Sequence, residues 1–288
     1  MVDIEKPQGW VTVVTVSYNS QAVLPQMLAS IPEDARVVIV DNASNDRASL
    51  RELAKRHGAQ LVELDENMGF GVACNIGAAH AGSEYLLFLN PDAKVQPGAL
   101  DHLRAAAERS PHASAFNPKL MRKDGSVYFR RRSNLLPRSE WLPRGCPGMD
   151  REVPVLSGAA IFIRRTDFEA VGGFDPEIFL YYEDDDLSLR LRKQCGPLVF
   201  VRAAEVMHIG GASSARSVEV ARIKGYHLGR SRVYASVKHG KPWGRTLAVI
   251  EALLGAIAPI ALVSRRRRAK DWARLASTVR ACSEFTRP

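Results

Sequence analysis

The sequence predicts an α/β fold: a mostly parallel central sheet flanked by helices, followed by a helical C-terminal extension. Two observations carry this. Over roughly the first 120 residues, short β-branched runs alternate with helix-period segments, as repeated right-handed βαβ units require. Three of the apolar runs also end directly in polar residues, Ser17-Tyr18-Asn19, Asp41-Asn42 and Asn90-Pro91-Asp92. That is the end of a strand at which open α/β sheets bind ligands. With 46% hydrophobic and 25% charged residues, the 288-residue chain has the composition of a globular protein with a sizeable core.

The elements follow in order. Val11 to Val16 reads as a buried strand, and Ser20 to Ser30 as a helix with Ser20 as a candidate N-cap. Arg36 to Val40 is a second strand, and Arg47 to His57 a helix closed by Gly58. Leu61 to Leu64, Phe70 to Ala81 and Tyr85 to Leu89 read as strand, helix and strand. Pro97 to Arg109 is the next helix, with proline near its first turn. Residues 130–152 hold three prolines and several arginines without a period, and are expected to form a long mobile loop of the kind used as a lid. A strand is expected in the second half of Val153 to Ile163. Glu183 to Lys193 reads as a helix whose acids and bases match its dipole. Two short strands, Leu198 to Val201 and Glu205 to His208, follow. There is no internal repeat.

Charge is unevenly spread. Forty Lys and Arg against 31 Asp and Glu leave +9, and Arg265, Arg266, Arg267, Arg268, Lys270, Arg274, Arg280 and Arg287 crowd the C-terminal end. Such a patch suits an anionic lipid, a phosphorylated ligand or nucleic acid, and equally a solvated helix face. Cys74, Cys146, Cys195 and Cys282 form no CxxC pair, which fits a reducing compartment better than a zinc ribbon or disulfide framework. Residues 1–8 show no apolar run of the kind a secretion signal needs, so a cytoplasmic protein is expected.

One polar strand end fits a turn or a helix cap; three on neighbouring strands favour a shared binding crevice. The run Glu183-Asp184-Asp185-Asp186 exceeds what a helix dipole alone calls for. Mutual repulsion in such a cluster is relieved by a cation or a raised pKa, and proton abstraction is its natural use. His208 ends a strand and, with Asp92, could hold Mg²⁺ or Mn²⁺ together with diphosphate oxygens, although a lone histidine is more often structural. No GxxxxGK[ST] run is present, which disfavours a P-loop nucleotide hydrolase. Gly69-Phe70-Gly71 lacks the spacing of a dinucleotide fingerprint.

The motifs, taken together and in order, resemble those of family-2 inverting glycosyltransferases of the GT-A fold, and within them the bacterial rhamnosyltransferase-like group. The stretches are VTVSYNS (14–20), VIVDNASND (38–46), ENMGFGVACNIGAA (66–79), YLLFLNPD (85–92), SGAAIFIRR (157–165), GGFDPEIFLYYEDDDLSLRLRK (172–193) and VMHIGGASS (206–214). The resemblance implies a nucleotide-sugar donor held by Val16, Tyr18 and Asp41 at base and ribose. It implies further donor contacts from Asn67, Gly69 and Asn75. Asn90 and Asp92 occupy the DXD position, with asparagine in place of the first acid, a variant shared by the rhamnosyltransferase-like group. Asp184 falls where the family has its catalytic base, and His208 where some members have a further metal ligand, making Asp92 and His208 the implied site for Mg²⁺ or Mn²⁺. Glu183, Asp186 and Tyr182 would lie on the acceptor side. The implied donor is dTDP-rhamnose, and the implied acceptor is lipid-linked or a polysaccharide of the cell surface.

On this basis residues 1–240 are expected to form the catalytic domain and 241–288 an apolar and basic helical extension. Leu247 to Val263 is apolar apart from Glu251, is marginal as a membrane span, and is followed by four arginines. It reads best as an anchor on the anionic inner face of the cell membrane, against the alternative of an ordinary buried helix. A nucleotidyltransferase would call for a glycine-rich basic loop after the first strand, which is missing. A catalytically inactive nucleotide-sugar-binding scaffold is the alternative from another class, disfavoured by the presence of Asp184. No aromatic–basic motif supports nucleic-acid binding.

Overall fold

The computed structural model describes residues 9–210, 217–259 and 263–286. Residues 1–8, Gly211, part of the 247–263 segment and Arg287 therefore lie outside the described residues. The βα alternation appears as β1 (Val11–Ser17), α1 (Leu24–Leu28), β2 (Arg36–Asp41), α2 (Arg47–Arg56), β3 (Gln60–Glu63), α3 (Phe70–Ala79) and β4 (Tyr85–Leu89). Next come β5 (Ala93–Val95), α4 (Ala99–Arg109), β6 (Ala115–Met121), β7 (Val127–Tyr128), β8 (Arg151–Val153) and β9 (Ala160–Arg164). The chain continues through α5 (Arg165–Ala170), α6 (Glu183–Gln194), β10 (Leu198–His208), α7 (Val218–Lys238), α8 (Gly244–Ile257) and α9 (Arg265–Glu284).

All the strands join one sheet in the order β3-β2-β1-β4-β9-β6-β10-β5, with β7 beside β6 and β8 beside β10. β3, β2, β1 and β4 are parallel neighbours, as are β6 and β10. β9 runs antiparallel between β4 and β6, and β5 antiparallel on β10. β1 and β4 are fully buried along their length, which is why β4 is a continuous apolar run and β1 a run of valines broken only by the small buried Thr12 and Thr15, without charged residues. The strand order reverses at β1, with β2 on one side and β4 on the other. Such a reversal opens a crevice at the carboxyl ends of the strands.

Three local expectations are corrected. The helix expected over 20–30 shrinks to α1, because Pro25 has no N–H and is tolerated only in a first turn. Ser20 therefore closes a turn, its carbonyl accepting from Val23 and Leu24, and its side chain does not cap the helix. The two strands expected at 198–201 and 205–208 are one, β10, because β6 pairs with both parts across a register shift between Val201 and Glu205. The loop 130–152, expected to be mobile, is packed down: Leu135 and Ser133 are buried, Trp141 Nε1 donates to the Ser133 carbonyl at 3.1 Å, and Arg132 lies 4.8 Å over the Trp141 ring.

Candidate active site

Sheet topology decides which polar residues meet. The ends of β1, β2 and β4 open into a cavity of about 770 Å³ lined by Val16, Tyr18, Asn42, Asn67, Gly69 and Asn90 among others. Tyr18 is half-exposed at the first strand end, its ring available to a flat ligand. Asn42 holds the opposite wall: its side chain donates to Asn67 Oδ1 at 2.9 Å and to the Gly69 carbonyl, and accepts from Met68 N at 2.8 Å. Gly69 has φ +84°, and a Cβ there would meet the Phe179 carbonyl oxygen at 2.5 Å, so only glycine lets the two loops close. Asp41 and Asn75 are placed differently from the rest. Asp41 is fully buried beneath the cavity, accepting from Ser44 N at 2.9 Å. Asn75 braces the following loop through paired hydrogen bonds with the Phe174 backbone.

β5 turns back antiparallel on β10 and sets Ala93 opposite His208. As a result His208 Nε2 lies 3.3 Å from Asp92 Oδ1 and 3.4 Å from Asn90 Nδ2. The Asp92 carboxylate is buried and the His208 ring reaches the cavity. One carboxylate and one imidazole fit a divalent ion that takes its remaining ligands from substrate oxygens and water. Among the described residues there is no group of three or more His, Cys, Asp or Glu that could hold a metal by itself.

The acid run begins α6, just after Tyr181 and Tyr182, which both adopt left-handed backbone conformations (φ 67° and 71°). Two such non-glycine residues in succession cost of order 1–3 kcal/mol each. Helical geometry then turns each acid about 100° from the last, so four buried carboxylates face different partners. Glu183 and Asp184 line the cavity. Asp184 Oδ2 accepts from Gly158 N at 2.9 Å and from Arg130 Nη1 at 2.5 Å. Asp185 pairs with the other arm of Arg130. Asp186 turns away to Lys238 Nζ (2.7 Å), His239 Nε2 (2.8 Å) and Arg190, and does not line the cavity.

Electrostatics separates the four further. Burial, and next the neighbouring Asp184 charge, push Glu183 up to about 8. Glu183 Oε2 has no hydrogen-bond partner among the described residues. Burial also raises Asp185, against the pull of Arg130. For Asp186 burial is outweighed by hydrogen bonding from His239 and by Arg190 and Lys238, which hold it down at about 2.

A second cavity of about 530 Å³ shares Tyr181, Glu183 and Asp184 with the first and is walled by Arg130, Arg132 and Tyr182. Asp184 thus stands where two cavities meet. Arg130 and Gly158 hold Asp184 at this junction, and reading the sequence did not single them out. Arg130 was visible only as one of three consecutive arginines, and Gly158 only as part of a matching stretch.

Residues 12–172 match the domain family described as Glycosyl transferase family 2. The chain is 32% identical over 237 residues to N-acetylglucosaminyl-diphospho-decaprenol L-rhamnosyltransferase of Mycobacterium tuberculosis, covering 71% of this chain and 77% of that protein. It is 28% identical over 189 residues to dTDP-rhamnosyl transferase RfbF of Shigella flexneri, covering 62% of this chain and 61% of that protein. Among solved structures, the mannosyltransferase PcManGT from Pyrobaculum calidifontis in complex with GDP-Man and Mn²⁺ superposes with a TM-score of 0.58. That match has 15% identity and covers 96% of this chain and 88% of the other. S. aureus TarS 1–349 does so with a TM-score of 0.56 and 16% identity, covering 96% and 72%.

Proposed function

The chain belongs to glycosyl transferase family 2 and is a glycosyltransferase, and from that premise we propose that it transfers rhamnose from dTDP-rhamnose, with inversion, to a hydroxyl of a lipid-linked acceptor. The observation that carries this reading is the place of Asp184 at the junction of a donor-sized cavity and a second cavity. The donor's base and ribose lie at Val16 and Tyr18, with Asp41 bracing the turn beneath, and its sugar reaches towards Asn67 and Gly69. Asn75 contributes through the loop it braces. The acceptor hydroxyl enters from the side of Tyr182 and Glu183.

Asp184 then takes the hydroxyl proton as that oxygen attacks the anomeric carbon from the face opposite the nucleotide. A positioned base of this kind contributes about 10²–10⁴-fold. Arg130 and the Gly158 N–H fix the carboxylate through Oδ2, and Oδ1, which accepts from Asp185 N at 2.9 Å, keeps a lone pair for the proton. Glu183, neutral near pH 7, donates a hydrogen bond that orients the acceptor, while Asp186 secures the helix carrying both. Asp92 and His208 would hold Mg²⁺ or Mn²⁺ against the diphosphate, with Asn90 beside them on the donor, and the ion would supply Lewis-acid stabilisation of the leaving group. The exposed apolar side of α8 and the arginines of α9 favour work at the anionic inner face of the cell membrane, where a lipid-linked acceptor resides.

Calorimetric titration of wild type and Asp184→Asn with dTDP, UDP and GDP, each with and without Mn²⁺, followed by a transfer assay, tests the reading. dTDP should bind most tightly and more tightly with metal, and Asp184→Asn should bind it within about twofold of wild type while losing about 10²–10⁴-fold in transfer. Equal loss of binding and transfer would remove Asp184 as the base. A preference for UDP or GDP would replace the donor.

A further inference from the structure

The donor cavity has a wall from outside the matched segment 12–172. Val220, Ile223 and Lys224, all on α7, line it together with Asn90, Pro91 and His208. Lys224 is therefore on the diphosphate side of the site and within electrostatic reach of Asp92. It is not an isolated cation. α7 and α9 approach closely through Gly225 and Gly229, where a Cβ would meet the Lys270 carbonyl oxygen at 2.0 Å and Ser277 Oγ at 2.2 Å. This contact sets Lys270, and with it Arg266, near enough to act on Lys224. Burial first, and then these like charges, depress the Lys224 pKa; burial, and then Arg267 and Arg274, depress that of Lys270.

Half-burying lysines beside one another is unfavourable unless an anion shares the space. Among the described residues Asp92 is an acid within electrostatic reach of Lys224, and the DXD position has Asn90 where a second carboxylate would stand. The site is thus poorer in acid and richer in fixed cations than a purely metal-centred one. We propose that Lys224 is a diphosphate-binding residue of the donor site, contributed by α7 and backed by Lys270 and Arg266 of α9, so that the protein's own cations neutralise part of the leaving-group charge. This rests on the nucleotide-sugar reading above. It makes the C-terminal helices part of the site.

The test is binding of nucleoside mono- and diphosphates (thymidine, uridine and guanosine series) in EDTA, to wild type, Lys224→Gln, Lys224→Arg and the remote control Lys55→Gln. Wild type should bind its preferred diphosphate without metal. Lys224→Gln should weaken the diphosphate about 10- to 100-fold and the monophosphate less than about twofold, as loss of one charge-assisted contact predicts. Lys224→Arg should restore most of the affinity, and Lys55→Gln should match wild type. Unchanged diphosphate affinity in Lys224→Gln, or equal loss for both nucleotides, would overturn the proposal. Should that variant not fold, Lys270→Gln removes a neighbouring cation and leaves the cavity wall intact. A diphosphate loss of roughly two- to fivefold is expected there, and no loss overturns the proposal. Failure of wild type to bind any nucleotide, with or without Mn²⁺, would instead overturn the nucleotide-sugar reading and Lys224 with it.

Discussion

Glu183 and Asp184 are adjacent in sequence and face the same cavity, yet one is held by a guanidinium and a backbone N–H while the other has a carboxyl oxygen without a hydrogen-bond partner among the described residues. Glu183 therefore binds its proton more tightly when folded, its pKa rising from the ordinary 4.5 to about 8, chiefly through burial. A group shifted in this direction adds stability that is complete below the unfolded value and is lost as pH rises through the folded one. Each pH unit inside that window removes up to about 1.4 kcal/mol. Thermal melting of Glu183→Gln and wild type across the window should show the wild type losing stability relative to the variant as pH rises, and the two alike at the acid end. Parallel profiles throughout would mean that Glu183 is ionised in the fold. The resemblance set Asp184 apart within the acid run, but not the pairing of Asp184 and Asp185 with Arg130 or the turning of Asp186 away from the cavity, because these depend on helical phase and on Arg130, Gly158, Lys238 and His239, all remote in the chain. The Asp92–His208 pairing, by contrast, was legible from the family's motif order. Lys224 was not, since a lysine on a helix reads as solvated until the helix is placed.

The elements that read most clearly were those whose burial is uniform, β1 and β4, and α2, where Gly58 and Ala59 close the end by donating to Lys55 and Ala54. Those that read poorly were set by partners: β6 joins two strand segments into β10, and loop packing holds 130–152. α8 is the element whose sequence and packing most disagree with an ordinary core helix. Its buried side is Gly244, Ala248, Ala252 and Ala256, while Leu247, Ile250, Leu253, Leu254 and Ile257 face outward, Leu254 at 59% exposure and Ile257 at 63%. No described helix is long and apolar enough to cross a membrane. An outward apolar face beside the exposed Arg265–Arg268 suits the interfacial region of an anionic bilayer. Burying five such side chains contributes roughly 1–2 kcal/mol each, and each arginine about 1 kcal/mol near the surface. The protein should float with vesicles containing phosphatidylglycerol and much less with pure phosphatidylcholine. Replacing the five outward residues by serine should abolish flotation with little change in Tm. Equal flotation of that variant would remove α8 as the docking face, and loss of a dimer in sedimentation without any flotation would assign the face to a second copy.

At the scale of the whole molecule the question is where the catalytic unit ends. The boundary expected at residue 240 runs between α7 and the helices it packs against. α7 is tied to the catalytic core by Lys238 and His239 on Asp186, by Tyr234 on Asp175 (2.8 Å) and by Ser231 on the Leu180 carbonyl (2.9 Å). Its other side is shaped for α8 and α9: Arg232, whose side chain is 4% exposed, reaches Glu251 at 3.5 Å, and Gly225 and Gly229 admit α9. Removing residues 241–288 would leave that arginine without its acid and open an apolar face, each a change of a few kcal/mol. At about 2–4 °C per kcal/mol for a chain of this size, a 1–240 fragment should melt some 10 °C or more below the intact chain. It should also bind nucleoside diphosphate more weakly, since Lys270 and Arg266 go with the helices. The intact chain should unfold in one calorimetric transition. Two transitions, or a fragment with unchanged Tm and unchanged binding, would restore the boundary at 240 and make the last helices an appendage. One transition and a weakened fragment would mean that α8 and α9 form one packed unit with α7, which walls the donor cavity, so that the catalytic unit extends to the last helix.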